Sequence, residues 1–144
     1  MSDFPHEYKV SASSGETGGV TVSAPGLPDI ASGPPAQFGG SGDVWSPEDF
    51  IAAAVADCFV LSFKAVARGS RFDWTHLDCH TTGYLDKVEG VLRFTRFDVK
   101  AVLTVPEGTD PEKAIKLLEK SEKVCLITNS LTSESHLEAE VQFG

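Results

Sequence analysis

The stretch from Phe50 to Ala67 limits this chain more than any other, because only Asp57, Ser62 and Lys64 in it are polar. Just before it, Ser46-Pro47-Glu48-Asp49 supplies an N-cap residue, a proline at the first helical position and two acids that complement the positive end of a helix. These signals predict a helix over residues 47–68, with Gly69 as its stop, since glycine accepts the left-handed conformation common just past a helix end. A surface helix shows one apolar stripe. This one is apolar nearly all the way round and must be buried on most sides. A chain of 144 residues has little material to surround it, so the pattern predicts that a second subunit covers part of the helix.

Elsewhere, alternation of apolar and polar residues predicts strands. Residues 7–13 and 20–24 read as a hairpin across the turn-rich Ser14-Gly15-Glu16-Thr17-Gly18-Gly19. Residues 72–86 and 91–105 read as a second, longer hairpin that turns at Lys87-Val88-Glu89-Gly90. In its later strand Leu92 and Phe94 lie on one parity, whereas Phe97, Val99, Ala101, Leu103 and Val105 lie on the other, which predicts a bulge near Thr95 or Arg96. Residues 25–43 are dense in Gly, Pro and Ser; a loop this long in a compact domain is disordered or functional, and Phe38 and Trp45 favour a packed one. Asp110-Pro111-Glu112 starts another helix, over 110–124, with Ala114, Leu117, Leu118 and Val124 on one buried face and Cys125 at its end. Residues 136–143 alternate as a half-exposed final strand. The expected class is α+β, one domain over residues 1–144 without internal repeat.

Charge narrows the partners. Twelve basic against twenty-one acidic residues give a net charge of -9, which repels phosphate backbones and anionic lipid alike, so neither nucleic acid nor membrane is expected. The first ten residues mix Asp3, His6, Glu7 and Lys9 with few apolar side chains and lack a signal-peptide core. No run reaches the ~18 uninterrupted apolar residues of a membrane span. A cytoplasmic location is the expectation, and with three cysteines a structural disulfide framework has little support there.

Taken alone, each cysteine reads as a small buried hydrophobe. Taken together, Trp45-Ser-Pro-Glu-Asp-Phe-Ile-Ala-Ala-Ala-Val-Ala-Asp-Cys58-Phe59 resembles the first signature of the OsmC/Ohr family of two-cysteine peroxidases, and Glu-Lys-Val-Cys125-Leu-Ile-Thr-Asn-Ser130 resembles the second. The order of the two motifs, the Phe38-Gly39-Gly40 loop and the two hairpins extend the resemblance over almost the whole chain. It implies an OsmC-like fold assembled as an intertwined homodimer. It also implies that Cys58 is a peroxidatic thiol, Cys125 a resolving thiol, and Glu48 a charged partner organising the site. Attack of a Cys58 thiolate on a hydroperoxide would leave a sulfenic acid, which Cys125 would condense into a disulfide. An external thiol, in this family typically a dithiol such as a lipoylated protein, would reset the pair without metal or organic cofactor.

Geometry adds a constraint. Ten residues of helix put Glu48 ~15 Å along the axis from Cys58, so the two cannot meet within one chain. An antiparallel crossing of two copies at Ala53 would bring Glu48 of one chain beside Cys58 of the other. Otherwise Glu48 is an acid in the first turn that complements the helix dipole.

The sequence departs from the family at the cation. Cys58 lies far from its helix start and beside Asp57, which opposes ionisation, and the first hairpin turn lacks the arginine that the family commonly places there. Arg68, Arg71, Arg93 and Arg96 are the only arginines that could substitute. Phe38, Trp45, Phe50 and Phe59 are candidates for an apolar wall suited to organic hydroperoxides over hydrogen peroxide. Cys79 reads as a packing residue, and His6, His76 and His136 lack ligand spacing for a metal. Two rival readings keep the fold: a non-catalytic, stress-related dimer that holds a small molecule, and a purely structural dimer with both cysteines in its core.

Overall fold

The long helix begins as its sequence dictates. In the computed structural model, which describes residues 3–144, Ser46 caps α1 (Pro47–Gly69): its Oγ accepts from the Asp49 N–H at 3.1 Å, and the Ser46 N–H donates back to the Asp49 carboxylate at 3.0 Å. This reciprocal capping box satisfies two helix-end donors at once. The far end differs from expectation. Gly69 is helical, and the left-handed residue is Arg71 (φ 52), with Phe72 N–H bonded to Ala67 O and Arg71 N–H to Arg68 O. That pattern is a Schellman motif two residues later than the glycine, so hydrogen-bond closure rather than residue preference sets the stop.

The chain falls into two compact units that divide between Phe50 and Ile51, within the first turn of α1. The N-terminal unit holds a three-stranded antiparallel sheet of β1 (Ser11–Ser13), β2 (Val20–Ser23) and β3 (Ile30–Ser32). The first hairpin is thus present but short: residues 7–10 lie outside the strand expected there. The third strand and a 3₁₀ turn at Ala36–Phe38 occupy the segment read as loop.

The second unit is built on the sheet β4 (His76–Val88), β5 (Val91–Val105) and β6 (Glu134–Phe143). β4 and β5 pair antiparallel through a two-residue turn whose Glu89 (φ 51) and Gly90 (φ 81) both lie in the left-handed region that such a turn requires. The register shifts once, between Tyr84 and Leu85, leaving Thr95 as the extra residue of the expected bulge. At Gly83 a Cβ would come within 2.7 Å of the Phe97 ring, so only glycine lets the stacked Phe94 and Phe97 cross the hairpin. β6 pairs parallel to β5, and the crossover between them carries α2 (Pro111–Val124) and α3 (Leu126–Asn129).

One face of this sheet makes the core. Phe97, Val99, Ala101, Leu103 and Val105 of β5 pack with Ala114, Leu117 and Leu118 of α2 and with Val55, Phe59, Phe63 and Ala67 of α1. Val124, expected on the buried face of α2, is instead exposed, because the helix ends there and its inward stripe has passed to Ser121. α1 buries a single stripe at spacing four rather than most of its surface; Leu61, for example, is 57% exposed. By length and composition the helix would suffice to cross a bilayer, yet Val55, Phe59, Phe63 and Ala67 are engaged in the core and Asp57, Lys64 and Arg68 are exposed.

Candidate active site

Cys58 lies mid-way along α1, half-buried, and Cys125 is fully buried at the joint between α2 and α3. The sheet and its crossover bring these distant positions together, and each thiol shifts the acidity of the other. The short turn that presents Cys125 is held by polar side chains. Thr128 Oγ1 donates to Cys125 O at 3.2 Å, Asn129 Nδ2 to Lys123 O at 3.0 Å, and Ser130 Oγ to Leu126 O at 2.7 Å.

The surroundings push the two thiols apart in acidity. Burial raises Cys58, but the Ile127 N–H, the Cys125 thiol, the Ser62 hydroxyl (3.9 Å from Sγ) and the Leu126 N–H together outweigh it and leave Cys58 below the ordinary thiol range. Burial also raises Cys125; Thr128, through backbone and hydroxyl, opposes this, while the adjacent Cys58 adds to it, so Cys125 ends above the ordinary range. The arrangement therefore makes Cys58 the more acidic of the two thiols, beside a Cys125 that keeps its proton. Replacing Cys125 with alanine removes one of the groups that lower Cys58 and is expected to shift the midpoint of Cys58 alkylation by iodoacetamide to higher pH. An unchanged midpoint would show that the backbone donors suffice.

No cation appears among the groups that lower Cys58. Arg68, Arg71 and Arg93 are exposed, and Arg96 lies over the Tyr84 ring at 4.2 Å and pairs with Asp98 at 3.0 Å on the sheet face opposite the core. Within the chain, backbone amides do the work for which an arginine was sought. The signal for them was the Thr128-Asn129-Ser130 run just after Cys125, whose side chains close a tight turn. Cys79, on the core side of β4, has its thiol pushed up by burial and touches Thr81 at 3.9 Å.

The other predicted residues are distributed differently. Glu48 belongs to the N-terminal unit, where it lines a cavity of about 410 Å³ with Phe38 and Phe50, and Trp45 stacks on Phe50 at 5.8 Å. Glu48 Oε1 is buried with no hydrogen-bond donor among the described residues. Phe59 does not join this wall: it is 2% exposed and belongs to the core of the second unit, because it falls on the inward stripe of α1.

Residues 40–140 match the family described as OsmC-like protein. The chain belongs to the OsmC family. Among OsmC relatives, the peroxiredoxin OsmC of Escherichia coli is 27% identical over 97 residues, covering 67% of both chains. YmaD of Bacillus subtilis, uncharacterized, is 24% identical over 115 residues, covering 76% of this chain and 77% of its own. An organic hydroperoxide resistance protein from Elizabethkingia anophelis superposes with a TM-score of 0.76 at 20% identity, covering 99% of this chain and 100% of its own. The mixed α+β architecture described above is thus the OsmC-like fold.

Proposed function

We propose that this chain is a thiol-dependent peroxidase of organic hydroperoxides, with hydrogen peroxide a poorer substrate. The observation that carries the reading is the pairing of Cys58, a thiol made more acidic by the Ile127 and Leu126 backbone, with Cys125, a buried thiol that keeps its proton. The Cys58 thiolate attacks the terminal peroxide oxygen; the O–O bond breaks, the alkoxide takes a proton and leaves as an alcohol, and Cys58 becomes a sulfenic acid. Cys125 then attacks that sulfur, expelling water and forming the disulfide. A dithiol, such as that of a lipoylated protein, exchanges with the disulfide and restores both thiols while becoming a disulfide itself. No metal or organic cofactor enters.

The open apolar side of α1 supports a homodimer in which Glu48 of one chain approaches Cys58 of the other, with Phe38, Trp45 and Phe50 offering apolar surface to the substrate's organic group. A reducing cytoplasm suits its free cysteines. Treating the protein with one equivalent of cumene hydroperoxide and mapping thiols by mass spectrometry tests the reading. The expected product is a Cys58–Cys125 disulfide with Cys79 free. Three unmodified thiols would overturn it and favour the ligand-holding dimer.

A further inference from the structure

We infer that the outer face of α2 is a docking surface for an acidic protein that carries the reducing dithiol to the Cys58–Cys125 disulfide; the inference rests on the peroxidase reading. Lys113, Lys116, Lys120 and Lys123 follow one another at steps of three, four and three residues, which places them on one side of the helix. The opposite side holds the buried Ala114, Leu117, Leu118 and Ser121, and all four lysines are exposed. Four of the twelve basic residues of a chain with net charge -9 thus gather on one helix face. Among the described residues, none of the four pairs with a carboxylate. Glu112 and Glu119 border the stripe without pairing to it, Glu122 accepts from the Ser135 hydroxyl at 3.1 Å, and Lys113 Nζ stands 6.0 Å from the centre of the Phe72 ring.

Helix stability does not account for this stripe. A cation near the C-terminal end complements the helix dipole, which covers Lys123, but Lys113 lies in the first turn, where a cation is disfavoured. Lysines three and four residues apart also repel one another. Nor does the stripe fit a second copy of this chain, since lysine is depleted in the cores of protein interfaces and it is α1 that leaves apolar side chains such as Leu61 open. The partner it fits is acidic. Placement says what that partner delivers: α2 runs directly into Cys125, so the lysines begin about 3 Å along the axis from that residue and end about 18 Å from it. Small, charged contacts are typical of transient redox encounters, in which charge sets the rate and orientation of approach. The negative charge of the rest of the chain repels an acidic partner and leaves this face as the one that draws it in. Once docked, the dithiol attacks one sulfur of the disulfide and its second thiol closes on the mixed disulfide. It departs as a disulfide, and its two electrons and two protons restore Cys58 and Cys125 as thiols.

Steady-state reduction of cumene hydroperoxide by the full chain provides the test, with either free dihydrolipoamide or a reduced lipoyl domain of net negative charge as the dithiol. Combining Lys113→Glu, Lys116→Glu, Lys120→Glu and Lys123→Glu should raise KM for the domain about tenfold or more. Turnover with free dihydrolipoamide should stay near the wild-type rate, which also shows that the variant folds. The counterpart with arginine at all four positions keeps the charge and should keep the wild-type KM. In the wild-type chain, raising sodium chloride from about 20 to about 200 mM should raise KM for the domain and not for free dihydrolipoamide, and this series carries the test if the glutamate variant does not fold. An unchanged KM for the domain in the glutamate variant, equal changes for both dithiols, or no salt dependence in the wild-type chain would overturn the docking surface and leave the peroxidase reading standing. No turnover of the wild-type chain with free dihydrolipoamide would overturn that reading, and the docking surface with it.

Discussion

Replacing Cys58 with serine is expected to abolish peroxide reduction, lowering turnover by on the order of 10³-fold or more, as removal of an enzyme's nucleophile does. The serine would meet the same Leu126 and Ile127 N–H groups, but a hydroxyl has no accessible anion for them to stabilise near neutral pH. Consumption of cumene hydroperoxide with a dithiol as reductant reads the effect. The control is Cys79→Ser, which removes the third thiol and should leave turnover near the wild-type rate. Cys125→Ala should fail in another way, reacting once and then holding a Cys58 sulfenic acid that dimedone traps. Retention of more than a tenth of wild-type turnover by Cys58→Ser would sink the assignment of this thiol as the attacking group, since background reaction of the dithiol alone would be subtracted.

Phe63→Ala should produce the largest loss of stability, about 3–5 kcal/mol. Phe63 is fully buried on the inward stripe of α1, and its ring meets Trp74 edge-on at 5.3 Å beside the core residues of β5 and α2. Deleting the ring removes its transfer free energy and leaves a cavity that the surrounding sheet cannot close, because sheet positions are fixed by their hydrogen-bond register. Urea unfolding of both proteins at one fixed concentration measures it, fixed because oligomerisation would add a concentration-dependent contribution. Leu61→Ala supplies the contrast: at 57% exposed in the single chain, it should cost little in a monomer. A large cost there would reveal that a second chain covers this face.

Much of the architecture was legible in the residues. Ser46-Pro47-Glu48-Asp49 marks the start of α1 because capping chemistry is local, and the parity switch around Thr95 marks the bulge because side chains alternate strictly in a strand. Three things were not legible, each for a non-local reason. β3 has only three residues, and its pairing with β2 is what makes it a strand. The stop of α1 at Arg71 depends on bonds back to Ala67 and Arg68, not on the nearest glycine. The parallel placement of β6 beside β5 follows from the crossover rather than from the pattern of residues 134–143. For the candidate site, the motifs point to the two cysteines but not to the groups that lower Cys58. A search for charged side chains overlooks backbone donors, which every residue but proline carries, and which become special only when a turn aims them. Phe59 lies in the core, since a place next to Cys58 in the sequence does not say which way an aromatic faces.

The backbone groups that lower Cys58, at Leu126 and Ile127, reside on the crossover between β5 and β6, far along the chain from Cys58 itself. During synthesis, therefore, Cys58 emerges from the ribosome with Ser62 but well before Cys125, Leu126 and Ile127, the other groups that lower it. The nascent thiol is an ordinary one, spared from oxidation while it has no Cys125 to rescue it. On the proposed function, reactivity toward peroxide is switched on by completion of the sheet, so the fraction of chains that respond to oxidant is also the fraction that have matured.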